Sequence, residues 1–412
     1  MVSIAIMGHG VVGSGVAEVL LKNAEHIAKK AKTEIKIKYI LDLRDFPGVS
    51  YSSLFTKDFN DIINDDDVKV VAEVMGGLHP AFEFTKQCLQ KGKSVVTSNK
   101  ELVAAHGAEL LALAEKNNVN YLFEASVGGG IPVLRPMAQC LAANDLYEVA
   151  GILNGTTNFI LTKMIDDGMS FEDALKLAQD SGFAEKDPTA DIEGHDACRK
   201  ICILAALAFG KHVYPDTVYT EGITKITSAD TAYADFAECA IKLIGKAKLL
   251  DNGKCIATVY PAFVSRKNQL AYVNGVFNAV TVKGDAIGNV MFYGPGAGKL
   301  PTASAVVADI IDCVKHLKAR KYLSWDDGDA SYIADYKTDT VHMYVRLKYN
   351  RPRSETLDTV QSLFGKVKVL GRHGEPENEL AFITPFASEE AILTQLSALK
   401  DCEILSTMRL LD

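Results

Sequence analysis

Val2-Ser-Ile-Ala-Ile-Met7-Gly8-His9-Gly10-Val11-Val12-Gly13-Ser14-Gly15 is a short apolar run broken by closely spaced glycines. The first six residues read as a buried strand, and an amphipathic run from about Val16 to Lys30 reads as the helix that follows. Between them Gly8 permits a tight turn, Gly10 lets main chain approach a pyrophosphate, and Gly13 lets the helix pack on the strand. Val11 and Val12 lie in the same loop, where the helix N-terminus faces the phosphates. A lone GxGxxG is weak, but here it follows a buried strand and precedes a second one, Glu34 to Leu41, which makes it a dinucleotide-binding βαβ unit. Asp42 at the end of that second strand suits a ribose 2′-hydroxyl and repels a 2′-phosphate. Arg44 points to the same face and offers the phosphate a partner, so the expectation is NAD or NADP with NAD slightly preferred.

Further strands end in polar turns. Val68 to Met75 runs into Gly76-Gly77, and Ser94 to Thr97 runs into Ser98-Asn99-Lys100. In an open parallel sheet the ligand lies beyond the carboxyl ends of the strands, so Gly76, Ser98 and Lys100 are expected at the nicotinamide crevice. By itself Lys100 reads first as a solvated residue at a helix start.

With 412 residues, 48% hydrophobic and 23% charged, the chain is of ordinary globular composition with room for two or three domains. Its 44 basic and 52 acidic residues give a net charge of −8 without a basic cluster, which argues against nucleic acid and anionic membrane partners. The eight cysteines form no CxxC pair and no zinc-spaced set with histidine, so reduced thiols in a cytoplasmic protein are expected. Cys198 and Cys202, one helical turn apart, read as core residues. No signal peptide is read at the N-terminus, and no apolar run approaches the roughly 20 residues of a membrane span.

The densest chemistry lies in Ala178-Gln-Asp-Ser-Gly182-Phe-Ala-Glu185-Lys-Asp187-Pro188-Thr-Ala-Asp191-Ile-Glu-Gly194-His-Asp196-Ala-Cys-Arg-Lys200. Gly182 ends one helix, Asp187-Pro188 sets a turn, and a second helix is expected to start near Asp191. Asp196 and Lys200 share a face of it, and the apolar run after Lys200 takes that helix into a core, so the lysine is expected at a buried mouth. This long gapped pattern resembles homoserine dehydrogenase. Thr97-Ser98-Asn99-Lys100 is similar to that family's Thr-x-Asn-Lys motif, and Asn154-Gly155-Thr156-Thr157-Asn158, which follows a strand and precedes an expected helix Phe159 to Asp167, is similar to its Asn-Gly-Thr-Thr-Asn.

The resemblance implies interconversion of L-aspartate 4-semialdehyde and L-homoserine with a nicotinamide cofactor. Lys200 is the expected proton donor, its pKa lowered near a closing cleft, with Asp196 orienting it and Lys100 as a second amine at the carbonyl. Glu185 is expected to bind the substrate ammonium, Asp191 to help there or order the loop, and Asn154, Gly155 and Thr156 to lie near the substrate. For Ala125-Ser-Val127-Gly128-Gly129-Gly130-Ile131-Pro132, too glycine-rich for a regular element, the resemblance implies a structural sodium ion held by main-chain oxygens of Val127, Gly129 and Ile131 and by Glu124. Two other readings stand beside this one: another amino-acid dehydrogenase of the same architecture, and a non-catalytic nucleotide and amino-acid sensor.

The remaining chain completes an α/β reading. A helix Ala234 to Leu249 alternates with β-rich runs Cys255 to Tyr260 and Gly275 to Val282, so the second domain is expected to be α+β, with catalysis and dimerisation in it. Gly298 and Thr302 precede a helix Ala303 to Leu317 that returns to the dinucleotide. After a polar linker at 325–331, six elements in the order βαββαβ, from Val341 to Met408, give a ferredoxin-like unit that resembles an ACT regulatory domain. The expected division is 1–125 with about 296–320, then 126–295, then 338–412. A homodimer or homotetramer is expected, and threonine is the effector that the resemblance implies.

Overall fold

The computed structural model describes residues 1–319, 323–329 and 331–412. Arg320, at the end of the expected return to the cofactor domain, and Ala330, in the expected linker, lie outside the described residues. The chain divides into two compact units, one made of Met1–Val149, Cys202–Pro215 and Val280–Asp329, the other of Ala150–Ile201, Asp216–Ala279 and the C-terminal segment to Asp412.

The first unit is built on a six-stranded sheet in the order Phe55–Thr56, Ile35–Leu41, Val2–Met7, Val68–Glu73, Ser94–Thr97, Tyr121–Leu122. Every pairing in it is parallel. Numbered along the chain this is 3-2-1-4-5-6, the order of a doubly wound dinucleotide fold, whose ligand crevice lies outside the carboxyl ends of the central strands. The expected helix over 16–30 is two helices, Val11–Lys22 and Ala24–Ala31, which meet at Asn23. The first starts earlier than expected, at Val11, and takes up glycines that packing demands. A Cβ on Gly13 would lie 2.0 Å from the Gly8 carbonyl oxygen, and one on Gly15 would lie 2.9 Å from that of Lys299. The helix Lys299–Lys315 packs there, with Ala303, Val306, Val307 and Ile310 in one apolar core with Ile4, Ile6, Val16 and Leu20.

In the second unit the strands run Cys239–Leu249, Cys255–Ser265, Cys402–Leu411, Met343–Tyr349, Glu379–Ile383, Lys368–Leu370 as neighbours in one sheet. The expected helix Ala234 to Leu249 is overturned. A helix Ser228–Phe236, started by a Thr227/Asp230 capping box, ends at Ala237, and Glu238 turns the chain with φ of 59°. Cys239, Ile241, Leu243, Gly245 and Ala247 alternate with Ala240, Lys242, Ile244, Lys246 and Lys248, which satisfies a period of two as well as a helical one. Pairing along its whole length with Cys255–Ser265 selects the strand.

The C-terminal βαββαβ order is present, with helices Arg353–Phe364 and Glu389–Ser397 and a four-stranded antiparallel sheet. Its own core gathers Val345, Leu347, Val360, Leu380, Phe382 and Ile392. It also shares a sheet with the rest of its unit, because Ala262, Phe263 and Val264 pair in parallel with Arg409, Leu410 and Leu411.

Candidate active site

The glycine loop of the first unit has the shape that a diphosphate requires. Gly8 takes φ of +98°, and space around the missing Cβ of Gly10 is open. Gly10 caps the helix without a side chain, so the first-turn amides at Val11, Val12 and Gly13 have no carbonyl behind them within the helix and point at that space. Gly76, with φ of +80°, turns the chain after the strand Val68–Glu73. Gly298, with φ of +129°, stands at the N-terminus of the helix Lys299–Lys315, and Thr302 lies in its first turn. These residues fit a dinucleotide.

Asp42 is held differently from expectation. Its Oδ2 accepts from the His9 amide at 2.8 Å and Arg44 Nη2 at 2.9 Å, and its Oδ1 from the Arg44 amide and Nε, each at 3.0 Å. The Arg44 guanidinium holds the carboxyl far below the ordinary carboxylate range. Asp42 and Arg44 are thus one neutralised pair beneath the loop. His9, to which the sequence reading gave no role, is buried edge-on against Phe46 and Phe55 and meets the Tyr51 hydroxyl at 3.1 Å. Burial lowers its pKa.

Behind the Thr97-to-Lys100 motif stands another residue that sequence reasoning missed. Glu73 is fully buried, its Oε2 accepting from the Thr97 hydroxyl at 2.6 Å and its Oε1 from the Met75 amide at 2.9 Å, and burial pushes its carboxyl up. Asn99 caps the next helix at Leu102 and donates to the Gly77 carbonyl at 2.6 Å. Ser98 and Lys100, the first residue of that helix, are half-buried at its start.

The glycine run at 127–131 is closely packed. A Cβ on Gly129 would sit 2.5 Å from the Gly296 oxygen, and one on Gly130 would sit 2.7 Å from Pro301. The Glu124 carboxylate accepts three amides, those of Val133 at 2.7 Å, Leu134 at 3.0 Å and Arg135 at 2.7 Å. It anchors that turn; the expected cation donors at Val127, Gly129 and Ile131 are main-chain oxygens, a hard donor type.

In the second unit the segment read as catalytic forms a connected polar cluster. The helix carrying Lys200 runs His195–Phe209, and Asp191 sits apart from it on the short helix Thr189–Ile192, since Gly194 with φ of +82° breaks the chain between them. Lys200 Nζ donates to Asp196 Oδ2 and to the Leu153 carbonyl, both at 2.7 Å. Lys200 is 8% and Asp196 3% exposed, so the pair is buried and not a solvated ion pair. Asn154 joins the two segments: its Nδ2 donates to Asp191 at 2.7 Å and to Asp196 at 2.8 Å, while its Oδ1 caps the helix Gly155–Asp166 at the Thr157 amide. That helix begins at Gly155, earlier than expected, because the asparagine cap starts it.

A Cβ on Gly155 would lie 2.7 Å from the Val276 oxygen, and Thr156 donates to the Phe183 carbonyl at 2.8 Å, tying the turn to the loop before Glu185. Burial, then the neighbouring Asp196 charge, raise the Asp191 pKa. Glu185 itself is exposed, and no hydrogen bond found among the described residues joins its carboxylate to the cluster. Asp187 closes the turn by accepting the Thr189 amide and hydroxyl. Among the described residues no group of three His, Cys, Asp or Glu side chains is placed to hold a metal, and no helix is long and apolar enough to cross a membrane.

Comparison with known proteins supplies the context for this geometry. Residues 8–124 match the profile of the homoserine dehydrogenase NAD-binding domain, and 132–311 that of homoserine dehydrogenase. The homoserine dehydrogenase of Neisseria gonorrhoeae is 45% identical over 320 residues, 77% of this chain and 73% of that protein. That of Bacillus subtilis is 42% identical over 77% of this chain and 74% of its own length. The crystal structure of a homoserine dehydrogenase from Thiobacillus denitrificans superposes with a TM-score of 0.90 at 34% identity, covering 100% of this chain and 98% of that one. A hyperthermophilic archaeal homoserine dehydrogenase mutant in complex with NADPH gives 0.64 at 28% identity, over 76% of this chain and 97% of the other.

Proposed function

The chain belongs to the homoserine dehydrogenase family, and we propose that its NAD(P)-dependent interconversion of L-homoserine and L-aspartate 4-semialdehyde uses Lys200 as the proton-transfer group. The cofactor supplies the hydride chemistry. The observation that carries the assignment to Lys200 is the Asn154 bridge, which ties the buried Asp196 and Lys200 to the half-buried Asp191 in one connected set. In homoserine oxidation the Lys200 amine takes the hydroxyl proton as the carbonyl forms; in reduction the ammonium returns it. Asp196 and the Leu153 oxygen fix the direction of the nitrogen. Lys100 as a second amine rests on the likeness of its motif.

Asp191 and Asp196 against Lys200 leave this set one negative charge in excess when all three are ionised. An incoming substrate ammonium offsets that charge, which supports Asp191 as an ammonium partner alongside Glu185, with Gly155 and Thr156 lining the turn. The Asp42–Arg44 pair supports use of both cofactors with NAD(H) slightly preferred. A 2′-phosphate must draw Arg44 from Asp42, whereas a 2′-hydroxyl only has to share Asp42. For the glycine loop the proposal is a structural sodium ion on the Val127, Gly129 and Ile131 oxygens, hard donors suited to it. The domain division expected from the sequence, an oligomeric enzyme, and an ACT-like C-terminal unit responding to threonine, the end product of the pathway that the family implies, complete the proposal. The experiment is a steady-state assay of L-homoserine oxidation with NAD and with NADP, with and without millimolar L-threonine. Turnover of homoserine with an NAD/NADP ratio of kcat/KM modestly above one is expected, and a rate unchanged by threonine removes the regulatory part.

A further inference from the structure

Lys242 is one of the largest fully buried side chains, 1% exposed, on the strand Cys239–Leu249. Its Nζ donates to three neutral oxygens: the Val273 carbonyl at 2.6 Å, Asn274 Oδ1 at 2.8 Å and Asn158 Oδ1 at 3.2 Å. Taking an ammonium out of water with only neutral partners is costly, and burial pushes this amine down to about 8, the Asp166 carboxylate working against that. Only preset acceptors on two segments hold such a group, and it holds them together in return. Asn158 answers from the other side, its Nδ2 donating to the carbonyls of Val273 and Gly275, both at 3.0 Å, and of Phe277 at 3.1 Å. Thr162, one turn on, accepts the Gly275 amide at 3.0 Å.

The 273–277 loop so fixed is the wall behind the substrate turn, since the Val276 oxygen leaves no room for a Cβ at Gly155. Asn158 also lies one turn after Asn154 on the helix Gly155–Asp166 that Asn154 caps. We propose that Lys242 is a positioning residue for substrate binding: by clamping the 273–277 loop against Asn158 it sets the first helical turn, and with it Asn154, Gly155 and Thr156. The proposal rests on the reading that this turn meets homoserine.

The test is steady-state kinetics of the full-length Lys242→Met, Asn158→Ala and double variants, with Thr156→Val as a control for the turn itself. Lys242→Met keeps the volume and removes the donors, and it is expected to raise the homoserine KM roughly tenfold, the scale of a lost charged hydrogen bond. The cofactor KM is expected to stay within about twofold, and the double variant to be no worse than the poorer single one, as for two halves of one clamp. An unchanged homoserine KM in Lys242→Met, or equal rises in both KM values, overturns the role while a raised KM in Thr156→Val leaves the substrate turn standing. A flat response in Thr156→Val as well overturns the turn reading first. If Lys242→Met does not fold, the exposed partner Asn274→Ala is expected to give a smaller rise in homoserine KM alone, and no rise there sinks the clamp.

Discussion

Asn154 does more at the level of single residues than any other side chain in the cluster, because one amide serves two carboxylates while the opposite oxygen starts a helix. Removing it leaves the buried Asp196 and the half-buried Asp191 without a shared donor. Asn154→Ala is expected to lower kcat/KM for homoserine by roughly a hundredfold, the scale of about 1.5–3 kcal/mol for a lost hydrogen bond to a charged group. The ammonium site gives a sharper comparison. Glu185→Gln and Asp191→Asn are each expected to raise the homoserine KM more than they lower kcat, as a contact made equally in ground and transition states does. Measuring both at saturating cofactor ranks them, and a KM unmoved by Glu185→Gln would leave Asp191 alone in the role. Arg44→Ala frees Asp42 of the guanidinium paired to it. NADP use is expected to fall at least about tenfold with little change for NAD; equal losses with the two cofactors would assign Arg44 to loop structure alone.

At the scale of elements, what the sequence reveals depends on how local the cause is. The glycine loop and the βαββαβ tail were legible because turn residues and short apolar runs fix them within a few positions. The strand Cys239–Leu249 was not, since its alternation fits two periods and only its neighbour Cys255–Ser265 decides between them. Lys200 and Asp196 were legible as a pair one turn apart. Their link to Asp191 was not, because Asn154 reaches across separations of 37 and 42 residues. Glu124 shows the same limit from the other side: three amides on 133–135 take up its carboxylate, a fact no spacing encodes. At Gly129 two obstacles combine, for a Cβ there meets the Gly296 main chain at 2.5 Å on a residue with φ of +56°. Gly129→Ala is expected to lower the thermal midpoint and, through the shift of the 296–301 segment, weaken cofactor binding. A variant as stable as the parent, with cofactor affinity intact, would show that the loop yields freely.

For the whole molecule, the C-terminal segment is bound into its unit by more than a shared strand. Arg346 pairs with Asp230 at 3.0 Å and with Glu379 at 3.2 Å, and Tyr344 stacks on Phe263 at 4.2 Å between ring centroids. Asp230 is fully buried. Arg346→Ala is therefore expected to destabilise the protein by about 3–5 kcal/mol, the cost of an orphaned buried charge, read from the urea midpoint. A loss under about 1 kcal/mol would favour a C-terminal unit that folds separately from the rest. The intact enzyme also offers the most direct measurement of all, steady-state oxidation of L-homoserine by the parent and by Lys200→Ala. Lys200→Ala is expected to lower kcat by roughly 10²–10⁴-fold with cofactor affinity nearly unchanged. Near-normal turnover in a folded Lys200→Ala protein would contradict the assignment of proton transfer to Lys200.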